Sequence, residues 1–192
     1  VYHGIAMQMM TYLDAVQQNI DLLADTETAQ LAGALYLHLQ NPKFKPSDLR
    51  QTDFLSALLK KDRYQGLLVH DDNLFSRLEP QLDKGSAVVY PFRKNANGSI
   101  GKAETIVTPS QLQSLLRFTE EKIKAAATAI FAGQLDLNPI KRPDGRTAMQ
   151  FSPYKAIMQF DPMLTENNYR LLSKIDDPMA RIQEEEKQRG LH

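Results

Sequence analysis

The segment TPSQLQSLLRFTEEKIKAAATAIFAG, residues 108–133, most constrains the fold of this chain. Thr108 and Gln111 have the spacing of a capping box, and Pro109 suits the first helical position. Gly133 follows the segment and is a good residue to end a helix. The pattern predicts a long amphipathic helix whose apolar face needs a hydrophobic core. That face consists of Leu112, Leu115, Leu116, Ile123, Ala126, Ala127 and Ile130.

The composition is that of an ordinary globular protein. The chain has 192 residues, 42% hydrophobic and 24% charged, which fits one domain or a large part of one. Lys plus Arg and Asp plus Glu both total 23, so the chain has no bulk positive field for nucleic acid. It has no cysteine, which excludes disulfides, thiolate nucleophiles and cysteine-ligated metal. Because the positive and negative charges balance, any contact with DNA must be local.

The termini and hydropathy predict a soluble, cytoplasmic protein. No run of about 18 apolar residues predicts a membrane span, and the N-terminus lacks the basic and small-residue parts of a signal peptide. The chain begins with Val1 rather than Met and enters an apolar segment almost at once. We therefore expect a fragment of a longer protein.

Residues 5–23 are predicted to form a helix. At about 100° per residue, one stripe of apolar side chains runs along it and is expected to face the core. Met7 and Met10 fall on the opposite side, so the first half is apolar all round and other protein should enclose it. The stripe contains Ile5, Met9, Tyr12, Leu13, Val16, Ile20 and Leu23.

The other predicted elements give a mixed α/β (α+β) chain. Residues 32–39 alternate between two sets of side chains, which predicts a strand. Short helices are predicted near 54–59 and 74–78, with Ser47 and Thr52 as possible N-caps. Residues 66–69 are predicted to be an apolar link between these helices. Residues 86–107 are predicted to form a hairpin with a type I′ turn at Asn97-Gly98. Residues 134–148 are expected to be a loop, followed by helices after Ser152-Pro153 and after Asp177-Pro178. The helical tail, 175–192, is expected to fray.

Common catalytic signatures do not occur in this sequence. His3, His38, His70 and His192 have no metal-ligand spacing, and no Walker loop, dinucleotide fingerprint or serine elbow is present. Residues 70–72, His-Asp-Asp, have the chemistry to hold a cation, but a solvated loop before a helix is the favoured interpretation.

Two features remain as candidate sites. Between residues 139 and 160 the charged side chains are Lys141, Arg142, Arg146 and Lys155 against Asp144, which is either a phosphate-contacting patch or a solvated loop. Gln8 and Tyr12 stand one helical turn apart, so their amide and phenol can project together. In the alternative interpretation, the Tyr12 ring lies in the core and Gln8 is partly exposed.

An ordered series of segments resembles the end of the nuclease domain in AddB/RexB-type subunits of bacterial ATP-dependent helicase-nucleases. Gln8 and Tyr12 fit a Q-x-x-x-Y motif in GIAMQMMTYLDAV, which is followed by AGALYLHLQNP. Next come YQGLLVHDDNLFSRLE, the region around Asn97-Gly98, AGQLDLNPIKR and MQFSPYKAIMQFDPMLTENNYRLL. The resemblance covers residues 1–192 as the C-terminal part of one nuclease domain.

The resemblance implies a RecB-like, restriction-endonuclease-type fold that acts on double-strand DNA ends with an AddA/RexA-type helicase-nuclease partner. Such nucleases hold Mg²⁺ with acidic residues and use a nearby lysine to activate water. The family's G-x-x-D-R-[IV]-D and [IV]-D-Y-K segments do not occur in this chain. We therefore expect this fragment alone to be inactive, without bound metal. Gln8 and Tyr12 are expected to support the missing site by hydrogen bonds to the catalytic lysine, a water or a DNA phosphate, without ligating metal.

Many family members have three iron–sulfur cysteines in a C-x-x-C-x(5)-C pattern. Met149, Ser152 and Met158 occupy those positions here, and none of them can replace a thiolate. The prediction is a RexB-like branch without an iron–sulfur cluster, in which both methionines pack in the core and Ser152 caps the next helix. The alternative to a nuclease segment is a non-catalytic, DNA-contacting module that docks on the helicase partner.

Overall fold

The computed structural model describes residues 1–26, 28–39, 43–44, 54–161, 163–164 and 168–190, apart from the side chains of residues 56 and 60. These fall into two compact units. The N-terminal unit is residues 8–116, and the C-terminal unit is residues 117–192 together with residues 1–7. Both contain helices and small sheets, so the predicted α/β (α+β) class is confirmed. The proposed N-caps Ser47 and Thr52 fall outside the described ranges.

The N-terminal unit is built on a three-stranded sheet in the order β1-β2-β5. Strand β2 is central, antiparallel to β1 and parallel to β5, while β3 and β4 form a separate antiparallel pair. The elements are α1 (Gln8–Gln18), α2 (Ile20–Leu23), β1 (Gly33–Tyr36), α3 (Phe54–Lys61), β2 (Gln65–Val69), α4 (Asp72–Leu78), β3 (Gly85–Ser86), β4 (Arg93–Lys94), β5 (Ile106–Val107) and the beginning of α5 (Pro109–Phe131).

The prediction of a link at residues 66–69 is wrong, because this segment belongs to the central strand β2. Leu67, Leu68 and Val69 are all buried. A strand covered on both faces has a continuous apolar run rather than an alternating pattern, so periodicity gave no strand signal here.

Two glycines allow β1 and β2 to approach closely. Gly33 pairs with Leu68, and Gly66 pairs with Leu35. Both glycines have positive φ, 141° and 147°, and a Cβ on either would lie 2.2 Å from a carbonyl oxygen of the opposite strand. The pairing of these strands therefore depends on the absence of a side chain at both positions.

The predicted hairpin around Asn97-Gly98 is present, since Lys94 pairs antiparallel with Ile100 across that turn, but an earlier reversal interrupts its first strand. Gly85 pairs with Lys94 and Ser86 with Arg93, so the chain already reverses within residues 87–92. Pro91 has no backbone N–H and cannot continue a ladder. Asn97-Gly98 forms the next turn, where Gly98 N–H donates to the carbonyl of Asn95 at 3.0 Å. Gly98 has a positive φ but Asn97 does not, so this is not a type I′ turn.

A compact apolar cluster fills the space between α4 and the β3–β4 pair. Its buried members are Leu68, Phe75, Ala87 and Phe92, and the rings of Phe75 and Phe92 lie 4.8 Å apart. The Glu79 carboxylate accepts hydrogen bonds from the backbone N–H groups of Val88 and Val89 at 2.9 and 3.1 Å. Phe92 of this cluster lines both of the clefts described below.

The opening helix is shorter than predicted and buries a different face. Gly4 and Ala6 have positive φ, the helix begins at Gln8, and Asn19 separates α1 from α2. Met10 and Leu13 are buried, whereas Tyr12, Val16 and Leu23 are exposed. Because the segment is apolar all round, its periodicity did not identify the buried face.

Helix α5 has the predicted capping box. Thr108 N–H donates to Gln111 Oε1 at 2.9 Å, and Gln111 N–H donates to Thr108 Oγ1 at 3.2 Å. Gly133, with φ of 72°, follows the helix as predicted. The predicted apolar face is buried only in the first half, since Ile123 and Ile130 are exposed.

The C-terminal unit contains residues 117–131 of α5 and the elements β6 (Ile140–Lys141), α6 (Lys155–Met158), β7 (Arg170–Leu171) and α7 (Pro178–Gln188). The predicted loop 134–148 thus includes a short strand, and β6 pairs with β7 in parallel.

Asp177 caps α7 as predicted by accepting from Ala180 N–H at 2.9 Å. Ile182 of α7 is 1% exposed. Its neighbour Glu185 accepts from the Tyr2 hydroxyl at 2.6 Å, which raises the pKa of that tyrosine.

Candidate functional site

Gln8 and Tyr12 form a hydrogen-bonded pair at the beginning of α1. Gln8 Nε2 donates to Tyr12 Oη at 2.9 Å, so the two side chains are adjacent, as the spacing predicted. Both residues are exposed, and Tyr12 retains 62% of its accessible surface. The interpretation that buried the Tyr12 ring in the core is therefore wrong.

The pair has the chemistry to bind an oxygen-rich group. A primary amide carries a second N–H, and a phenol that accepts one hydrogen bond still has its own O–H to donate. Both donors lie on one helical turn, which fixes their spacing. The pair can therefore donate two hydrogen bonds to one external group, such as a phosphate.

The structure brings three of the four predicted basic residues together in the C-terminal unit. Lys141 ends β6, and a tight turn joins Arg142 to Arg146, whose carbonyl accepts from Arg142 N–H at 2.8 Å. Lys155 lies apart in sequence as the first residue of α6. Arg146 is paired with Asp144 at 3.2 Å, so the turn has less free positive charge than the sequence suggested.

One aromatic contact of this patch was missed by the sequence analysis. The Lys141 ammonium lies 5.1 Å from the centre of the Tyr169 ring, within the range of a cation–π interaction. Because β6 and β7 pair in parallel, residues far apart in sequence meet here. A local sequence window could not show this contact.

The described residues do not form a metal site. They contain no group of three or more His, Asp, Glu or Cys side chains that could hold a metal ion. Asp71 instead caps α4, accepting from Asn73 N–H at 2.8 Å, and His70 packs edge-on against Phe75. The neutral amide and phenol of Gln8 and Tyr12 do not make up the carboxylate-rich set that Mg²⁺ prefers.

The three positions that replace the family's cysteines have different surroundings. Met149 is buried, as predicted for a core methionine. The same prediction is wrong for Met158, which is 40% exposed at the end of α6. Ser152 Oγ accepts from Tyr154 N–H at 3.2 Å, but Tyr154 itself occupies the N-cap position of that helix.

A second basic feature, which the sequence analysis did not identify, is an open cleft of about 610 Å³ in the N-terminal unit. We call it the basic cleft. Its cationic lining residues come from two separate regions of the sequence, residues 61–63 and residues 93–102, so no single window of sequence revealed it. They are Lys61, Arg63, Arg93 and Lys102.

A smaller cleft of about 450 Å³ lies nearby and is lined by both acidic and basic side chains, including Asp72, Glu79 and Lys94. Phe92 contributes to both clefts.

Among the helices that the structure describes, none is long and apolar enough to cross a membrane.

Comparison with known proteins relates nearly the whole chain to one group of enzymes. It is 50% identical over 175 residues, 88% of its length, to the B-type subunit of the ATP-dependent helicase/deoxyribonuclease of Lactiplantibacillus plantarum. The equally named protein of Levilactobacillus brevis is 48% identical over 97% of the chain, and that of Enterococcus faecalis is 34% identical over 94%. No family model matches the chain.

These relatives confirm the resemblance predicted from the ordered motifs: the chain is homologous to a segment of the B-type subunits of ATP-dependent helicase/deoxyribonucleases. It spans only 14–16% of the length of these three relatives.

Proposed function

We propose that this chain is a segment of the B-type subunit of an ATP-dependent helicase/deoxyribonuclease that processes double-strand DNA ends for recombinational repair. The observation that carries the proposal is its 48% identity, over 97% of its own length, to a relative with that name. The complete subunit would hydrolyse phosphodiester bonds with Mg²⁺, together with an AddA/RexA-type partner in the cytoplasm. The mixture of helices and small sheets is compatible with the C-terminal part of a RecB-like nuclease domain.

In this proposal Gln8 and Tyr12 act as positioning residues rather than metal ligands. Their exposure supports it, because donors that serve a ligand must be accessible. Their mutual hydrogen bond limits the rotamers of both side chains and so prepares their remaining donors. The pair would hold a DNA phosphate or a bound water in place.

The metal ligands and the catalytic lysine of the proposed nuclease would lie outside this chain. The G-x-x-D-R-[IV]-D and [IV]-D-Y-K segments that the resemblance places at such a site do not occur in the sequence. We therefore propose that the 192-residue chain alone does not cleave DNA. Met149, Ser152 and Met158 supply no thiolate, so we also propose a RexB-like subunit without an iron–sulfur cluster.

The double substitution Gln8→Ala with Tyr12→Phe tests this role in the complete subunit, assembled with its partner. Removing preorganised donors beside a reacting phosphate lowers a cleavage rate by about 100-fold. We expect a loss of that size in Mg²⁺-dependent cleavage of linear duplex DNA, measured at saturating DNA. The ATPase rate of the same preparation should stay unchanged.

A matched control is available in the same unit. Gln18 also makes an exposed hydrogen bond one turn away on α1, to Asp14 at 2.9 Å, and Tyr36 is 54% exposed. The variant Gln18→Ala with Tyr36→Phe removes the same atoms and should retain full nuclease activity. Equal activity of the two double variants would contradict the role of Gln8 and Tyr12.

A second candidate function is a non-catalytic module that contacts DNA and docks on the helicase partner. The exposed turn with Arg142 and Arg146 favours this alternative. Replacing both residues by alanine should lower the salt dependence of duplex binding by at most about 1.8 in the log–log slope, because each lost phosphate contact removes about 0.9. Pairing of Arg146 with Asp144 should reduce that change. An unchanged slope, measured by fluorescence anisotropy, would exclude this turn as a DNA contact.

A further inference from the structure

The basic cleft concentrates positive charge in a chain with no net charge. Its lining contains Lys61, Arg63, Arg93 and Lys102 and, among the described residues, no Asp or Glu. The whole chain has 23 basic and 23 acidic residues, so this grouping is a local excess. A cleft lined by one sign of charge between low-dielectric walls strengthens the local field and attracts counter-ions.

Two of these cations are available for a ligand. Arg93 and Lys102 are exposed, and neither takes part in an ion pair within the described part of the chain. Arg63 differs, because its guanidinium donates to the carbonyl oxygens of Ala87 and Val88. Its charge is therefore held in place at one wall of the cleft.

The backbone directs Arg93 toward this cleft. Arg93 and Lys94 are successive residues of β4, so their side chains point to opposite faces. Lys94 accordingly lines the other cleft and donates to the carbonyl of Leu82 at 3.2 Å. A Cβ on Gly101 would lie 2.7 Å from Arg93 Cγ, so the Arg93 stem passes directly over that glycine.

The lining also includes an aromatic residue, Tyr64, and a glycine. Tyr64 lines the cleft with Gly66, and its ring lies 5.5 Å from that of Tyr90. Grooves that bind single-stranded nucleic acid combine cationic side chains along the backbone with aromatic rings that stack on bases. The turn at residues 142–146 has no such composition within its own sequence.

We propose that the basic cleft binds the phosphate backbone of a single DNA strand, with Arg93 and Lys102 as the contacting cations. The assignment of DNA as the polyanion rests on the proposed function, whereas the assignment of a phosphate-rich ligand rests on the lining residues. Arg63 adds a fixed charge, and Tyr64 offers a surface for a base.

The test is binding of a fluorescent oligothymidylate to the 192-residue chain by anisotropy, in a potassium chloride series with EDTA. Each phosphate contact to a single strand contributes about 0.7 to the log–log salt slope, so Arg93→Ala with Lys102→Ala should lower the slope by about 1.4. At about 0.1 M salt this corresponds to about 25-fold weaker binding. Arg93→Lys with Lys102→Arg should keep the wild-type slope.

The matched control removes the same charge elsewhere. Arg77 and Lys187 are exposed and do not line the cleft, so Arg77→Ala with Lys187→Ala should leave the slope unchanged. Far-UV circular dichroism checks folding, and Lys102→Ala alone, with an expected slope change of about 0.7, replaces the double variant if that variant unfolds.

Three results would overturn the proposal: no binding by the wild-type chain, a wild-type slope in the cleft variant, or an equal loss in the control variant. The assay requires neither Mg²⁺ nor cleavage. Loss of the cleft site is therefore distinguishable from failure of the proposed nuclease function, which the Gln8 and Tyr12 variants test separately.

Discussion

Gly66→Ala is expected to lower the free energy of unfolding of the N-terminal unit by about 4 kcal/mol or more, a loss that few single substitutions cause. The new Cβ would lie 2.2 Å from the backbone oxygen of Ala34, and neither strand can move without breaking the β1–β2 pairing. The positive φ of 147° adds backbone strain. Urea unfolding of the 192-residue chain, followed by far-UV circular dichroism, measures the change.

Gly98→Ala provides the matched control for this prediction. Gly98 also has a positive φ, 83°, but a Cβ there would have no atom within 4 Å. Its cost should be limited to the left-handed conformation, about 1–2 kcal/mol. Equal losses in the two variants would show that backbone conformation, rather than the close approach of β1 and β2, determines the effect at Gly66.

Phe75→Ala is expected to lower the free energy of unfolding by about 3–5 kcal/mol, because it removes a buried ring and leaves a cavity. Phe75 is 3% exposed, and the centre of its ring lies 4.8 Å from the centre of the Phe92 ring. Phe92 is the residue that contributes to both clefts. The same denaturation experiment measures this loss. We also expect weaker oligonucleotide binding by this variant, since Phe92 and Arg93 are adjacent.

Phe131→Ala removes the same side chain from a position that is 92% exposed. Substitutions at such surface positions change stability by no more than about 0.5 kcal/mol. A loss below about 1 kcal/mol for Phe75→Ala would contradict the description of Phe75 as a buried member of a well-packed apolar cluster, given the usual cost of truncating a buried phenylalanine.

Elements with local signals were predictable from the sequence. The capping box of α5 needs only Thr108 and Gln111, and the beginning of α7 needs only Asp177 and Pro178. These residues satisfy backbone groups within one turn of the chain, so the relevant physical interaction is contained in a short window.

The errors arose where the decisive contacts are distant in sequence. Strand β2 is covered on both faces, and its continuous apolar run has no period to distinguish it from a link. The opening helix has apolar residues on every side, so only tertiary packing selects Met10 over Tyr12 for burial. The turn at residues 87–92 likewise depends on the pairing of β3 with β4.

The candidate sites also differ in whether their contacts are local or distant in sequence. The Gln8–Tyr12 pair is separated by one helical turn, and its adjacency could be predicted from spacing alone. The basic cleft unites Arg63 with Arg93 and Lys102 from a later region of the chain, and only the folded chain brings the two regions together. The basic cleft therefore could not be predicted from the sequence alone.

The most direct test of the nuclease-segment proposal is a structure of the complete subunit in complex with DNA, with Ca²⁺ in place of Mg²⁺ to prevent cleavage. The proposal predicts that Gln8 Nε2 or Tyr12 Oη lies within about 3.5 Å of a DNA phosphate oxygen, or of a water bound to that phosphate. It would be contradicted if other protein segments covered both side chains and no phosphate or phosphate-bound water lay within hydrogen-bonding distance of either atom.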